Sequence, residues 1–238
     1  MNFEGQGFTY TPQKTSFKVY APEHAELFLS LYEDRTGESY ARIPMQRDKD
    51  GFWYAECEGD LEGVYYTYAT KDFETTDPYS VLTSMNGTRS AVVDLRKTDP
   101  SGFRTHKRPE DLTKNPIIME LHIKDYTYHP TSGVQYRGKY LGLAERGTHY
   151  KNMPTALDHL VELGVTHVQI LPMYDFVSVD EDPKRFDDDG NYNWGYDPGH
   201  YNVPEGSYAL DARDFSSRIT ELKSMIMAFH EAGLGVIM

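Results

Sequence analysis

Ile117-Ile118-Met119-Glu120-Leu121-His122-Ile123 is the stretch on which the fold turns. A near-continuous apolar run of this kind reads as a strand buried on both faces. Residues 124–144 then read as a long loop. Apolar side chains at 153, 156, 157 and 160 give a helix over residues 153–163, and Gly164 is placed to end it. Residues 165–171 form another buried strand, halted by Pro172. Phe215, Ile219, Leu222, Ile226 and Phe229 fall on one stripe of a second helix, with Ser216 as N-cap and Gly233 at the far end. Residues 234–238 start a third strand. The order β-α-β-α-β implies parallel pairing with right-handed crossovers. It opens either a doubly wound sheet or a (β/α)8 barrel, and local pattern does not separate the two.

Upstream of residue 117 the texture differs. Ser16-Phe17-Lys18-Val19-Tyr20 alternates, Leu27, Leu29 and Leu31 share a face, and residues 52–57, 64–68 and 91–93 follow as short strands. Turn signals separate them at Ala21-Pro22, Thr36-Gly37, Asp50-Gly51, Glu62-Gly63 and Asn86-Gly87. Strands at this spacing predict an immunoglobulin-like β-sandwich of about seven strands. Residues 98–116 hold Asp99-Pro100, Pro109 and Pro116 among charges and read as a linker. The expected domains are therefore a sandwich over 1–97, a linker over 98–116 and an α/β domain over 117–238. No internal repeat or low-complexity segment interrupts them.

The 238 residues are 39% hydrophobic and 26% charged, a globular composition. A net charge of −13 disfavours nucleic acid and anionic membranes as partners, since both need a basic surface. Cys57 is the single cysteine, which excludes an internal disulfide framework and a thiolate metal cluster, and its alternating strand suggests a buried structural thiol. No apolar run approaches the roughly 20 residues needed to span a bilayer, and residues 1–10 show no secretory pattern, so the expected location is cytoplasmic.

Residues 192–208, Tyr-Asn-Trp-Gly-Tyr-Asp-Pro-Gly-His-Tyr-Asn-Val-Pro-Glu-Gly-Ser-Tyr, have neither helix nor strand period. An ordered loop of this kind is where sites tend to be built. Flat aromatic faces beside amides and carboxylates suit a sugar, whose hydroxyls take the hydrogen bonds while its C–H face stacks. A structural Tyr/Pro-rich loop has the same composition.

The wording of the loop goes further. Asn193-Trp194-Gly195-Tyr196-Asp197-Pro198, followed by Tyr201-Asn202-Val203-Pro204-Glu205-Gly206-Ser207-Tyr208, resembles the signature of type I pullulanases, debranching members of the α-amylase superfamily (glycoside hydrolase family 13). The resemblance covers nearly the whole chain. Tyr10-Thr11-Pro12, Gly51-Phe52-Trp53-Tyr54, Gly63-Val64-Tyr65-Tyr66-Thr67-Tyr68, Asp77-Pro78-Tyr79 and Asn86-Gly87-Thr88-Arg89-Ser90 look like a family 48 carbohydrate-binding module. Glu120-Leu121-His122-Ile123-Lys124-Asp125 looks like the first barrel strand and its exit, residues 164–172 like the second, and residues 230–238 like the approach to the third.

The resemblance implies the first three strands of a TIM-type barrel, which in full needs eight units and about 250 residues. It implies hydrolysis of α-1,6 branches in pullulan, amylopectin or glycogen by two carboxylates about 5 Å apart. With a third carboxylate that supports the transition state, they would come from strands four, five and seven, so no catalytic residue is expected in this chain, and the chain alone is expected to be inactive. It also implies that Tyr196 stacks on sugar, with Asn193, Trp194 and Asp197 flanking it as pocket wall or as loop scaffold. An exposed Trp53 would be a glucan-stacking platform on the sandwich, whereas its alternating strand favours the core. Asp175, Asp180, Glu181 and Glu205 lie in charged loops and read as solvated. No cofactor is called for. Asp187-Asp188-Asp189-Gly190-Asn191 faintly resembles a calcium loop but lacks the later bidentate acid. Two other readings stand beside the hydrolase: a non-catalytic glucan-binding protein, and a half-barrel subunit completed by the remainder of the barrel on a partner chain.

Overall fold

Alternation builds the first part of the chain. Thr15, Phe17 and Val19 are buried along Lys14–Tyr20, and Trp53, Ala55 and Cys57 along Phe52–Glu58, with exposed or half-buried residues between them. A period of two is what a sheet covered on one face imposes. In the computed structural model, which describes residues 4–110 and 114–238, these are strands β2 and β6 of an antiparallel sheet ordered β1-β2-β6-β5, where β1 is Gly7–Tyr10 and β5 is Gln46–Arg47. Phe17 faces Ala55 across the ladder and Val19 faces Trp53. A second antiparallel sheet contains β3 (Phe28–Tyr32), β4 (Ala41–Pro44), β7 (Tyr65–Ala69) and β8 (Glu74–Thr75), ordered β4-β3-β7-β8, with β9 (Ser90–Ala91) paired to β7. Phe17, Val19 and Trp53 from one sheet share a core with Leu29, Leu31, Tyr66 and Tyr68 from the other, which makes the unit a β-sandwich. Beside the runs read from the sequence lie β1 and β4, of four residues each, and the two-residue β5 and β8, all too short to show as alternation.

Trp53 takes the core reading that its alternating strand favours, and not the platform. It is 4% exposed, and its indole nitrogen donates to the Ala21 carbonyl at 2.9 Å. Its place on the inward face of β6 leaves no ring surface for a glucan, so it is a core residue and not a platform. Cys57 is likewise buried and free, and burial pushes its thiol pKa up.

The chain divides into two units. One runs to Leu95 and includes Gly199–Val203; the other holds Arg96–Pro198 and Pro204–Met238. The second unit is built on a parallel three-stranded sheet ordered β10-β13-β14, with β10 at Ile118–Leu121, β13 at His167–Ile170 and β14 at Gly235–Ile237. Leu121, Val168 and Ile170 pack with Leu157 and Leu160 of helix α3 (Ala156–Leu163) and with Leu222, Met225 and Phe229 of helix α4 (Ser217–Glu231). Gly164 ends α3 in a left-handed conformation, its N–H bonded to the Val161 carbonyl, as the sequence predicts.

Several local expectations are overturned. β10 is an outer strand of the sheet, so Ile117 and Ile118 are exposed rather than buried on both faces. Residues 124–144 are not a loop throughout, because they contain α1 (Ile123–Tyr128) and α2 (Tyr140–Ala144), each shorter than two turns and therefore without a visible period. Met153 lies in strand β12 (Met153–Pro154), paired with β11 (His149–Tyr150), and not in α3. The Ser216 side chain makes no capping bond to α4. The described part of the 98–116 stretch is anchored on α4: Lys223 reaches Thr98 and Asp99 at 2.6 Å, and His106 meets His230 at 2.8 Å. Residues 111–113 of that stretch and residues 1–3 lie outside the described residues. No helix among the described residues is long and apolar enough to cross a membrane.

Candidate functional site

Parallel strands leave at the same edge of their sheet, and in α/β proteins that carboxyl edge is where ligands bind. His122 follows β10 and Pro172 follows β13, so both exits lie there. The 172–208 segment starts at this edge and folds back on itself. Tyr174 bridges to Pro204, Phe176 bridges to Pro198, and the Glu205 N–H donates to the Met173 carbonyl at 2.8 Å. Gly195 touches the strand exit: a Cβ there would stand 1.7 Å from the Pro172 carbonyl oxygen, and its φ of +100° suits glycine.

Asn193 organises the tip. Its Oδ1 accepts the Gly195 N–H at 2.6 Å, and its Nδ2 donates to Ser178 Oγ at 2.7 Å. Its backbone carbonyl lies 2.9 Å from Nε2 of His122. Because Nδ1 of His122 accepts the Asp125 N–H, the ring carries its proton on Nε2 and donates it to the loop. Burial lowers the His122 pKa, against a partial rise from the Asn193 carbonyl and Asp125, so the ring is neutral at physiological pH. The Tyr192 hydroxyl donates to Asp125 at 2.6 Å, and burial together with that bond pushes its pKa up to about 12. Asn193 thus scaffolds the loop.

On this base the rings of Trp194 and Tyr196 are 63% and 65% exposed, large figures for residues that normally bury such area. The Asp197 side chain is also exposed, while its carbonyl accepts the Val177 N–H at 3.3 Å. The exposed residues therefore combine two aromatic faces and a carboxylate, held by a hydrogen-bonded loop.

The structure also corrects the reading of the loop acids. Asp175, Glu181 and Glu205 are 2%, 1% and 0% exposed, and their carboxylates converge within 4.8 Å. Arg218 of α4, itself 1% exposed, meets Glu181 at 2.8 Å and Asp175 at 3.5 Å. Glu205 accepts the N–H groups of Phe176 and Ser207. Burial first, and then the charges of Glu181 and Asp175, push the Glu205 pKa up to about 8, so it holds a proton at neutral pH. Burial alone would pull the Arg218 pKa down, but the same two carboxylates hold it above its ordinary value. The separation of the three acids resembles that of a retaining glycosidase pair. Their burial and their bonds to Arg218 and backbone N–H groups remove them from any glycosidic oxygen.

Sequence reading missed this cluster, although one signal was present. Arg218 lies four, seven and eleven residues before Leu222, Met225 and Phe229, on the buried stripe of α4, and a buried arginine demands carboxylate partners. The acids of the 187–191 loop do not converge: Asp187 accepts the Tyr128 hydroxyl and Asp188 pairs with Arg185.

Residues 6–80 match the family Carbohydrate-binding module 48 (Isoamylase N-terminal domain). Over 99% of its length the chain is 36% identical to the pullulanase of Bacillus subtilis (strain 168), of which it covers 32%. Along nearly its whole length the chain resembles a portion of the pullulanases. It also superposes over 99% of its length, with a TM-score of 0.93 and 43% identity, on 37% of the Paenibacillus barengoltzii pullulanase solved with maltohexaose and α-cyclodextrin. The pullulanase of Bacillus acidopullulyticus aligns with a TM-score of 0.90 and 38% identity, covering 97% of this chain and 28% of that one. The chain thus spans about a third of the length of the pullulanases it matches.

Proposed function

We propose that this chain supplies the sandwich and the first three barrel strands of a glycosidase that hydrolyses α-1,6 branches in pullulan and related α-glucans. The observation that carries the reading is the pair of exposed rings, Trp194 and Tyr196, held at the carboxyl edge of the parallel sheet. There an aromatic face takes the C–H face of a glucose unit, and the exposed Asp197 carboxylate is available to a hydroxyl. The exposed outer face of β10 fits a strand whose further neighbours and covering helices come from other parts of the barrel. The maltohexaose and α-cyclodextrin in the Paenibacillus barengoltzii complex support an α-glucan as the ligand class.

In this reading the chain contributes sugar contacts and not the reacting acid pair. Among the described residues, the convergent carboxylates are the buried ones tied to Arg218. The purified chain should therefore release no reducing sugar from pullulan, while a longer protein carrying it should do so and lose that activity with Tyr196→Ala. Hydrolysis by the purified chain, free of host amylase, would overturn the division of labour. The exposed rings also favour a second reading, glucan binding without hydrolysis. Retardation of the chain in an amylopectin affinity gel, reduced by Tyr196→Ala, would support binding by the chain itself; unaltered migration would remove that reading.

A further inference from the structure

We propose that Arg218 is the positioning residue of this site: from the first turn of α4 it clamps the two arms of the 172–208 segment together and so sets where Trp194 and Tyr196 stand. The inference rests on the reading that those rings meet an α-glucan. Arg218 is among the largest fully buried side chains of the protein. Its partners lie on both arms. On the outgoing arm Nη2 meets Glu181 Oε2 at 2.8 Å, and Nη1 stands 3.5 Å from Asp175 Oδ1. On the returning arm Nη1 donates to the Pro204 carbonyl at 3.2 Å. Glu181 extends the link, because its Oε1 accepts the Gly206 N–H at 2.7 Å. Glu205 repeats it in reverse, accepting Phe176 N–H at 2.7 Å from the outgoing arm and Ser207 N–H at 2.9 Å beside itself.

The geometry explains three sequence choices. A guanidinium fork reaches a carboxylate and a carbonyl on separate segments at once, which a lysine ammonium does not. The positive end of a helix dipole disfavours an arginine in the first turn of α4, so it is the carboxylates of the arms that hold it there. Residue 206 must be glycine, since a Cβ would lie 2.3 Å from both Arg218 Nη2 and Glu181 Oε1. Between the arms, the tip residues 187–190, 192, 194, 196 and 197 are exposed, so the placement of the rings depends on how the arms are closed.

The test uses the chain with Trp53→Phe, which leaves Trp194 as its single tryptophan. Time-resolved fluorescence anisotropy reads the motion of Trp194, and a maltohexaose titration reads the site. With Arg218→Lys and Arg218→Met, well below the melting temperature, we expect a nanosecond component of loop motion to appear. We also expect maltohexaose affinity to fall about tenfold or more. A lower melting temperature with unchanged Trp194 anisotropy and unchanged affinity would mean that Arg218 only stabilises, and would overturn the proposal. If the Arg218 variants fail to fold, Glu181→Gln, which keeps the volume and removes the charge, is read against the same two outcomes. Absence of maltohexaose binding in the parent, with loosened Trp194 in the variants, would retain the clamp and remove the sugar reading. Binding in the parent with no change in the variants would do the reverse.

Discussion

Gly195 and Tyr196 are neighbours with opposite requirements. The first must have no side chain because the Pro172 carbonyl occupies that space, and the second carries a ring that is 65% exposed. Gly195→Ala combines a φ of +100° with a backbone clash at 1.7 Å. Left-handed strain alone costs about 1–3 kcal/mol, so the variant should lose about 2 kcal/mol or more in urea unfolding followed by Trp194 fluorescence. A change below experimental error would mean that the loop is not pinned at Pro172. For Tyr196 the chemistry lies in the face of the ring. Calorimetric titration with maltohexaose should show Tyr196→Phe close to the parent and Tyr196→Ala weaker by about 0.5–1.5 kcal/mol, the range for a stacked aromatic. Equal loss in both variants would transfer the role to the hydroxyl. Trp53 shows the limit of such arguments from residue type: a tryptophan in a carbohydrate-binding fold is buried here because its strand position points inward.

Helix α3 is the element whose end was most legible. Gly164 adopts φ +74° and no atom lies within 4 Å of a Cβ placed there. Gly164→Ala therefore costs only the backbone term, about 1 kcal/mol, and Gly164→Asn less, because asparagine tolerates the left-handed region. Thermal unfolding of both variants checks the order, and an alanine variant as stable as the parent would contradict it. Helices α1 and α2 were not legible, since six and five residues do not complete two turns. The inner strand β13 lies between two neighbours and buries Val168 and Ile170 with His167 and Gln169 half-buried, whereas the more apolar β10 is exposed on its outer side. The difference is one of neighbours, which a run of apolar letters does not contain. The stripe of α4 was read correctly at Ile219, Leu222 and Phe229, yet the same face also buries Arg218 and Glu221. An apolar-periodicity argument passes over charged residues even when their spacing puts them on the buried side.

At the scale of the whole molecule, the buried carboxylates decide how stability depends on pH. Glu205 has an ordinary value of 4.5 and is pushed up to about 8 in the fold, and Glu221 is pushed up to about 7, chiefly by burial. A carboxyl whose folded value exceeds its unfolded one contributes stability fully below the unfolded value and loses it as pH rises through the folded one. Lys139, lowered to about 8 by burial, is charged in both states through most of that window and adds little slope there. Urea unfolding between about pH 5 and 8 should therefore show the parent losing stability relative to Glu205→Gln as pH rises. A constant difference across the range would place the Glu205 carboxyl near its ordinary value. The sequence by itself determined the two textures, the sandwich alternation, the parallel β-α-β order and the loop whose wording marks the family, because each is a local pattern or a contiguous string. Only the tertiary structure decided that Trp53 is core, that Asp175, Glu181 and Glu205 are buried around Arg218, and that Trp194 and Tyr196 face solvent. Burial is set by what packs on a residue from distant positions in the chain. Glu181 and Arg218, 37 positions apart, close into a 2.8 Å contact that no local spacing encodes.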